Sequence, residues 1–285
     1  MDTIEKTVEE LGRVRRVSWT VSILHVCLYA AALLVFFLGG PWQPALALLV
    51  CNVLFYFLGV RRTMGRYRRE ATAASLRYGL GGGLEDFAYQ DRGGISREAY
   101  AAWAMSPILE GDQSLMCRSF FSGRWGTLFL AGCELTLHYA VPGGKRDYRF
   151  LSGALLTAGE PGDGGWLLLR TELLEQAALA GFLAERDYQL CPESPAEGCA
   201  LYAMGSSAPP PPETVRRVAA ACKQVPALSL LRLTQTGTAA FLNGRFYTGA
   251  RYPTARLTAE KLRANTLPER DALWKLFRLQ AGAST

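Results

Sequence analysis

Charge is missing from residues 17–60: 44 consecutive positions hold no Asp, Glu, Lys or Arg. That absence excludes an ordinary solvated segment. At about 1.5 Å of rise per residue the run is too long for one crossing of a ~30 Å hydrocarbon layer and suits two. Gly39, Gly40 and Pro41 fall at its midpoint, where Pro41 lacks an N–H and disfavours helical geometry at the residue before it. The expectation is a transmembrane helical hairpin, with spans near 17–38 and 42–60. A cleaved secretory signal is the competing reading of the first half. The apolar run exceeds the ~7–15 residues of a signal core, and the residues ahead of it mix acids with bases.

Histidine is scarce too: His25 and His138 are the only two. A general acid or base poised near neutrality is most often histidine, so this scarcity weighs against an enzyme. The patterns G-x-x-x-x-G-K-[ST], H-E-x-x-H and G-x-S-x-G are absent, which excludes a P-loop, a zincin helix and a nucleophile elbow. No C-x-x-C spacing occurs among the seven cysteines, so Cys117, Cys133, Cys191, Cys199 and Cys222 read as reduced structural thiols rather than zinc ligands. Glu85-Asp86 is the one adjacent acid pair of the soluble part, and it reads as solvated. No catalytic residue, cofactor or metal site is assigned from the sequence.

What is present begins with arginine. Lys6, Arg13, Arg15 and Arg16 precede the apolar run, Arg61, Arg62, Arg66, Arg68 and Arg69 follow it, and the turn has none. By the positive-inside rule both termini face the cytoplasm, giving a multi-pass protein of the inner (plasma) membrane. The chain carries a net charge of +6, and that excess lies beside the spans, so nucleic acid is not an expected partner. On a continuing helix Arg62, Arg66 and Arg69 share one face and Arg61 and Arg68 an adjacent one, so this collar of five is the candidate lipid-headgroup site.

In order, residues 1–16 place Ile4, Val8, Leu11 and Val14 at helical spacing, predicting a separate amphipathic segment or a frayed tail. Residues 61–83 read as a basic juxtamembrane helix stopped by Gly81-Gly82-Gly83, and 84–285 as one cytosolic α+β domain. Within it, 84–94 reads as a loop and Ser96 as a helix cap with Glu98 in the first turn. Apolar runs at 115–121, 127–141, 148–158 and 166–171 predict an antiparallel β-meander. A helix follows over 172–185, then a stiff Pro-rich spacer over 192–212. Pro212 opens a further helix, with strands at 227–234, 238–242 and 245–248 and helices near 258–264 and 268–280. On the strand after Gly126, Leu135, Leu137 and Tyr139 alternate with Thr136, His138 and Ala140, so His138 is expected on the solvated face.

Ile95-Ser96-Arg97-Glu98, then Gly123-x-x-Gly126 with Glu134 eight residues on, then Phe150-Leu151-Ser152-Gly153-Ala154-Leu155 form a succession. In these motifs and in its apolar N-terminus the chain resembles an uncharacterised bacterial membrane-anchored family catalogued as a domain of unknown function. Genes of that family often lie near those of LemA-type proteins. The resemblance implies a two-span anchor with a cytosolic α+β domain, and a LemA-type membrane protein as partner; it implies no known reaction. Glu134, if turned inward, requires a partner such as Arg118 or Arg149. The expected function is a membrane-anchored cytosolic interaction or scaffold module in contact with membrane lipids. The alternative is an enzyme acting on a membrane-linked substrate.

Overall fold

The computed structural model describes residues 3–39, 42–79, 84–107, 115–140, 147–175, 177–192, 195–205, 207–243, 257–264, 273, 276 and 277. The chain divides into two compact units, residues 1–82 with 247–266, and residues 83–246 with 267–285.

The first unit is helical. Helix α1 runs from Thr3 to Phe37, and α2 (Trp42–Phe55) continues through a π-helical turn (Tyr56–Val60) into α3 (Arg61–Gly79). Residues 3–16 are therefore not a separate segment, as the sequence predicts, but the first turns of α1. The reason is a seam at seven-residue spacing. Ile4, Leu11, Ser18 and Ala32 are buried and His25 is half-buried at the same spacing, the repeat that keeps one stripe of a helix against a neighbour. That neighbour is α2 with α3: Thr7 Oγ1 meets the Tyr78 hydroxyl at 3.0 Å, and His25 Nδ1 meets Asn52 Oδ1 at 2.7 Å. Higher numbers on one helix meet lower numbers on the other, the order of an antiparallel pair. A further helix, α7 (Ala259–Ala264), packs on α3 and α1 and buries Leu262 completely. Its place in this unit is not foreseen from the sequence, which puts it in the domain after residue 84.

The second unit is built on one nine-stranded antiparallel sheet. Its strands are β1 (Glu85–Gln90), β2 (Leu115–Trp125), β3 (Leu128–Ala140), β4 (Asp147–Gly159), β5 (Trp166–Arg170), β6 (Tyr188–Leu190), β7 (Cys199–Met204), β8 (Leu228–Leu233) and β9 (Gly237–Asn243). The order across the sheet is β1-β2-β3-β4-β9-β8-β5-β7-β6. β1 pairs antiparallel with the outer side of β2, and β2 to β4 form a meander, joined between β2 and β3 by the two-residue turn Gly126-Thr127. There Gly126 takes φ +59°, as tight hairpin turns require of the first turn residue. Gly123 lies within β2.

Three expectations are corrected. Residues 85–90 are a strand, not a loop. β5 does not extend the meander, because β9 and β8 lie between it and β4. The Pro-rich spacer contains β7. One face of the sheet packs α4 (Arg97–Ala102) and α5 (Ala177–Glu185) over Cys133, Leu135, Leu155, Leu167, Leu230 and Phe241. Ser96 caps α4 by accepting from the Ala99 N–H at 3.1 Å. Predicted as one helix, 172–185 instead opens with a 3-10 turn, Thr171–Glu175. The opposite face buries Leu156, Leu168, Leu201, Leu231 and Ala240. Helix α6 (Pro212–Gln224), with Pro in its first turn, buries Val218, Ala221 and Cys222. Leu273, Leu276 and Phe277 are buried as their spacing predicts, whereas the strand expected at 245–248 lies outside the described residues.

Candidate functional site

Two long helices normally hide their apolar side chains, yet here they expose them. Of 21 exposed large hydrophobic residues among the described ones, 18 lie between Val17 and Leu58, and both helices are long and apolar enough to cross a membrane. The polar side chains of Ser18, His25 and Asn52 lie on the seam instead. Asn52 is 3% exposed, and the His25 ring lies 5.4 Å from the Tyr56 ring. Ser22 Oγ donates to the Ser18 carbonyl at 2.8 Å, while the Ser18 hydroxyl is itself buried without a partner. Polar groups in an apolar slab are costly unless paired, and the His25–Asn52 bond removes part of that cost from both chains at once. The sequence reading found His25 but not Asn52, which stands 27 positions away and is joined to it by the pairing of the helices.

One helical turn after Asn52 comes the π turn, in which the Arg61 N–H reaches back to the Tyr56 carbonyl. Thr63 Oγ1 donates to the Gly59 carbonyl at 2.9 Å, and the same hydroxyl reaches the Val60 carbonyl. All five collar arginines, Arg61, Arg62, Arg66, Arg68 and Arg69, are exposed on α3, away from the face that buries Tyr67, Ala71 and Ala74 against α1. They are not equivalent. Arg66 Nε donates to Glu70 at 2.7 Å, and this carboxylate raises the arginine's pKa; Arg61 sits 5.8 Å over the Phe57 ring.

In the sheet unit the candidate residues lie on an open strand face. Arg118 is opposite Glu134, and Thr136 is opposite Ser152 with their hydroxyls 3.3 Å apart. His138, half-buried, is paired in register with Arg149. Glu134 is thus a half-exposed rung rather than a buried carboxylate. Among the described residues no group of three or more His, Cys, Asp or Glu is placed to hold a metal.

Among the described residues the most interior charge is one that sequence reasoning missed. Arg232, on β8, is 1% exposed. Its Nε donates to the Trp103 carbonyl at 3.2 Å and its terminal nitrogens to the carbonyls of Gly164 and Leu233, with the Tyr188 ring 5.7 Å away. The Tyr188 hydroxyl donates to the Ala104 carbonyl at 2.7 Å, and Ala104 takes φ +48°. Burial lowers the Arg232 pKa from its ordinary value, and Tyr188 opposes this. With carbonyls for partners and no opening to solvent, Arg232 fastens loops together rather than offering a charge to a ligand.

Thiols form the remaining cluster. Burial, and then neighbouring Cys199, pushes the Cys222 thiol from 9.0 up to about 12. A raised pKa means the folded state keeps the proton that the unfolded chain releases. That contribution is complete below pH 9 and is lost as pH rises towards 12. Alkaline denaturation between these limits should therefore be less steep in Cys222→Ala than in the parent, as urea midpoints at successive pH values would reveal; parallel curves would count against it.

No protein-family model, curated protein or solved structure matches the chain.

Proposed function

We propose that the protein is a membrane-anchored module, in which α1 and α2 cross the bilayer as a hairpin and the sheet unit serves in the cytosol as an interaction or scaffold domain. The observation that carries this reading is the exposed apolar band. Residues 17–37 span about 31 Å and 42–60 about 28 Å at 1.5 Å per residue, both matching a ~30 Å hydrocarbon layer. A solvated surface rarely tolerates more than a few hundred Å² of contiguous apolar area. Arginines at one end and none at the other favour an orientation with both termini inside.

Topology is tested with single cysteines. Gln43→Cys should react with a membrane-impermeant maleimide on intact cells, and Glu185→Cys only after permeabilisation. Native Cys191 is a poor reporter because it is 9% exposed. Labelling of Glu185→Cys from outside would overturn the orientation.

The collar then lies at the level of lipid headgroups, where each free basic residue contributes about 1 kcal/mol towards an anionic surface. Since Glu70 occupies Arg66, Glu70→Gln should tighten binding of a peptide of residues 61–80 to anionic vesicles by up to about fivefold at low salt, and the gain should fade as salt rises. Equal affinity of the two peptides would remove the collar from lipid binding.

A further inference from the structure

The two partners of the helical unit do not keep the same count along their seam. On α1 the inward positions Ile4, Leu11, Ser18, His25 and Ala32 recur every seven residues without a break. Along the other helix of the pair, buried positions at the same seven-residue spacing are Ala45 and Asn52, then Val60, Tyr67 and Ala74, with Ala71, Thr72, Ser75 and Leu76 also buried. The spacing is seven on either side of the gap and eight across it, so one surplus residue is held between Asn52 and Val60. The π turn at Tyr56–Val60 fills that interval. A wide turn accommodates one extra residue per insertion and is most often found where a helix does something other than pack.

We propose that this π turn is a register hinge. Releasing the surplus residue would turn α3 by about one residue, ~100° about its own axis. An unbroken seven-residue count from Ala45 and Asn52 leads to Gly59, Arg66 and Ala73 rather than to Val60, Tyr67 and Ala74. Gly59 already stands beside the seam: a Cβ built there would lie 3.3 Å from Val21 Cγ1.

Each register has a cost that the other avoids. The state described keeps the π turn, and with it the Thr7–Tyr78 hydrogen bond, the burial of Tyr67 and the Arg66–Glu70 pair. The turned state regains regular α-helical bonding but brings Arg66 onto α1. His25 and Asn52 lie on the far side of the hinge from α3, so their bond holds the apolar section in one register while α3 turns. A change in the apolar section would thereby reach α3, on which α7 packs. The hinge is a property of the helix pair itself and holds whether or not the pair crosses a membrane.

Disulfide trapping in the full-length protein tests this. In a chain with Cys27→Ala and Cys51→Ala, Val14→Cys is paired in turn with cysteines at positions 66, 67, 70 and 71. Positions 67 and 71 should cross-link from the state described, and 66 and 70 should give a second, smaller set from the turned state. Deleting Leu58 removes the surplus residue and should keep the first set while lowering the second at least fivefold. Arg66→Leu, which removes the charge that the turned state brings onto α1, should instead raise the cross-link at position 70 without changing the residue count. Cross-linking at 67 and 71 alone in the parent would overturn the hinge, and so would a second set unchanged by either variant.

Discussion

Arg232→Met should destabilise the sheet unit by about 2–4 kcal/mol. Opposing effects decide the size. Taking a cation out of the interior relieves its desolvation, which is why apolar replacements of buried ionic groups are sometimes neutral. Here, however, the partners left behind are the backbone carbonyls of Trp103 and Gly164, and an orphaned buried acceptor costs about 1–3 kcal/mol. Contact with the Tyr188 ring adds about 0.5–2 kcal/mol. Urea unfolding of the detergent-solubilised protein, followed by tryptophan fluorescence, measures the difference. Arg217→Met is the control: Arg217 is exposed and pairs with Glu213 one turn away, so it should move stability by less than about 0.5 kcal/mol. An Arg232→Met protein as stable as the parent would show that the desolvation cost outweighs the three carbonyl contacts.

Gly153→Ala should be at least as damaging, by about 3 kcal/mol or more, although it adds a single methyl. Gly153 lies in β4 between Leu135 of β3 and Asn243 of β9. A Cβ there would stand 2.0 Å from the Leu242 carbonyl oxygen, a backbone atom held in the ladder that cannot swing aside as a side chain would. The β4–β9 pairing must part to admit it. Gly126→Ala provides the contrast: nothing lies within 4 Å of its Cβ, and only the φ of +59° is unfavourable, at about 1–2 kcal/mol. Thermal melts of the two variants should rank them in that order; the reverse ranking would mean that the β4–β9 junction yields more easily than a tight turn.

Local patterns carried much of this structure in the sequence. The α4 cap at Ser96, the alternation of β3 and the proline opening of α6 depend on residues within a few positions of each other. What was hidden depends on partners distant in the chain. β1 reads as a loop because Glu85 and Asp86 open it and it lies at the edge of the sheet, where little of it needs to be apolar. β5 reads as the end of a meander, yet Leu167, Leu168 and Leu169 are all buried. Burial on both faces is the mark of an interior strand rather than of one with a wet side. α1 could not be followed back to Thr3 because the charges of its first turns look like a boundary, whereas Ile4 and Leu11 continue the seam. The collar was legible as composition, but Glu70's hold on Arg66 was not singled out. Asn52 and Arg232 gave no motif at all, since their importance lies in what is packed beside them.

The sheet order also governs how the chain is made. β4 ends at Gly159 and its outer neighbour β9 begins at Gly237, so during synthesis the meander must wait for roughly 80 more residues, about 4–16 s at ordinary elongation rates. Throughout that delay the β4 edge carries unpaired N–H and C=O groups beside Leu155 and Leu156, an arrangement that invites pairing with another chain. Long-range closure of this kind also folds slowly. The growing protein therefore has a window in which a holdase chaperone would raise its yield, and variants that weaken β8 or β9 should aggregate during synthesis even where the finished fold tolerates them.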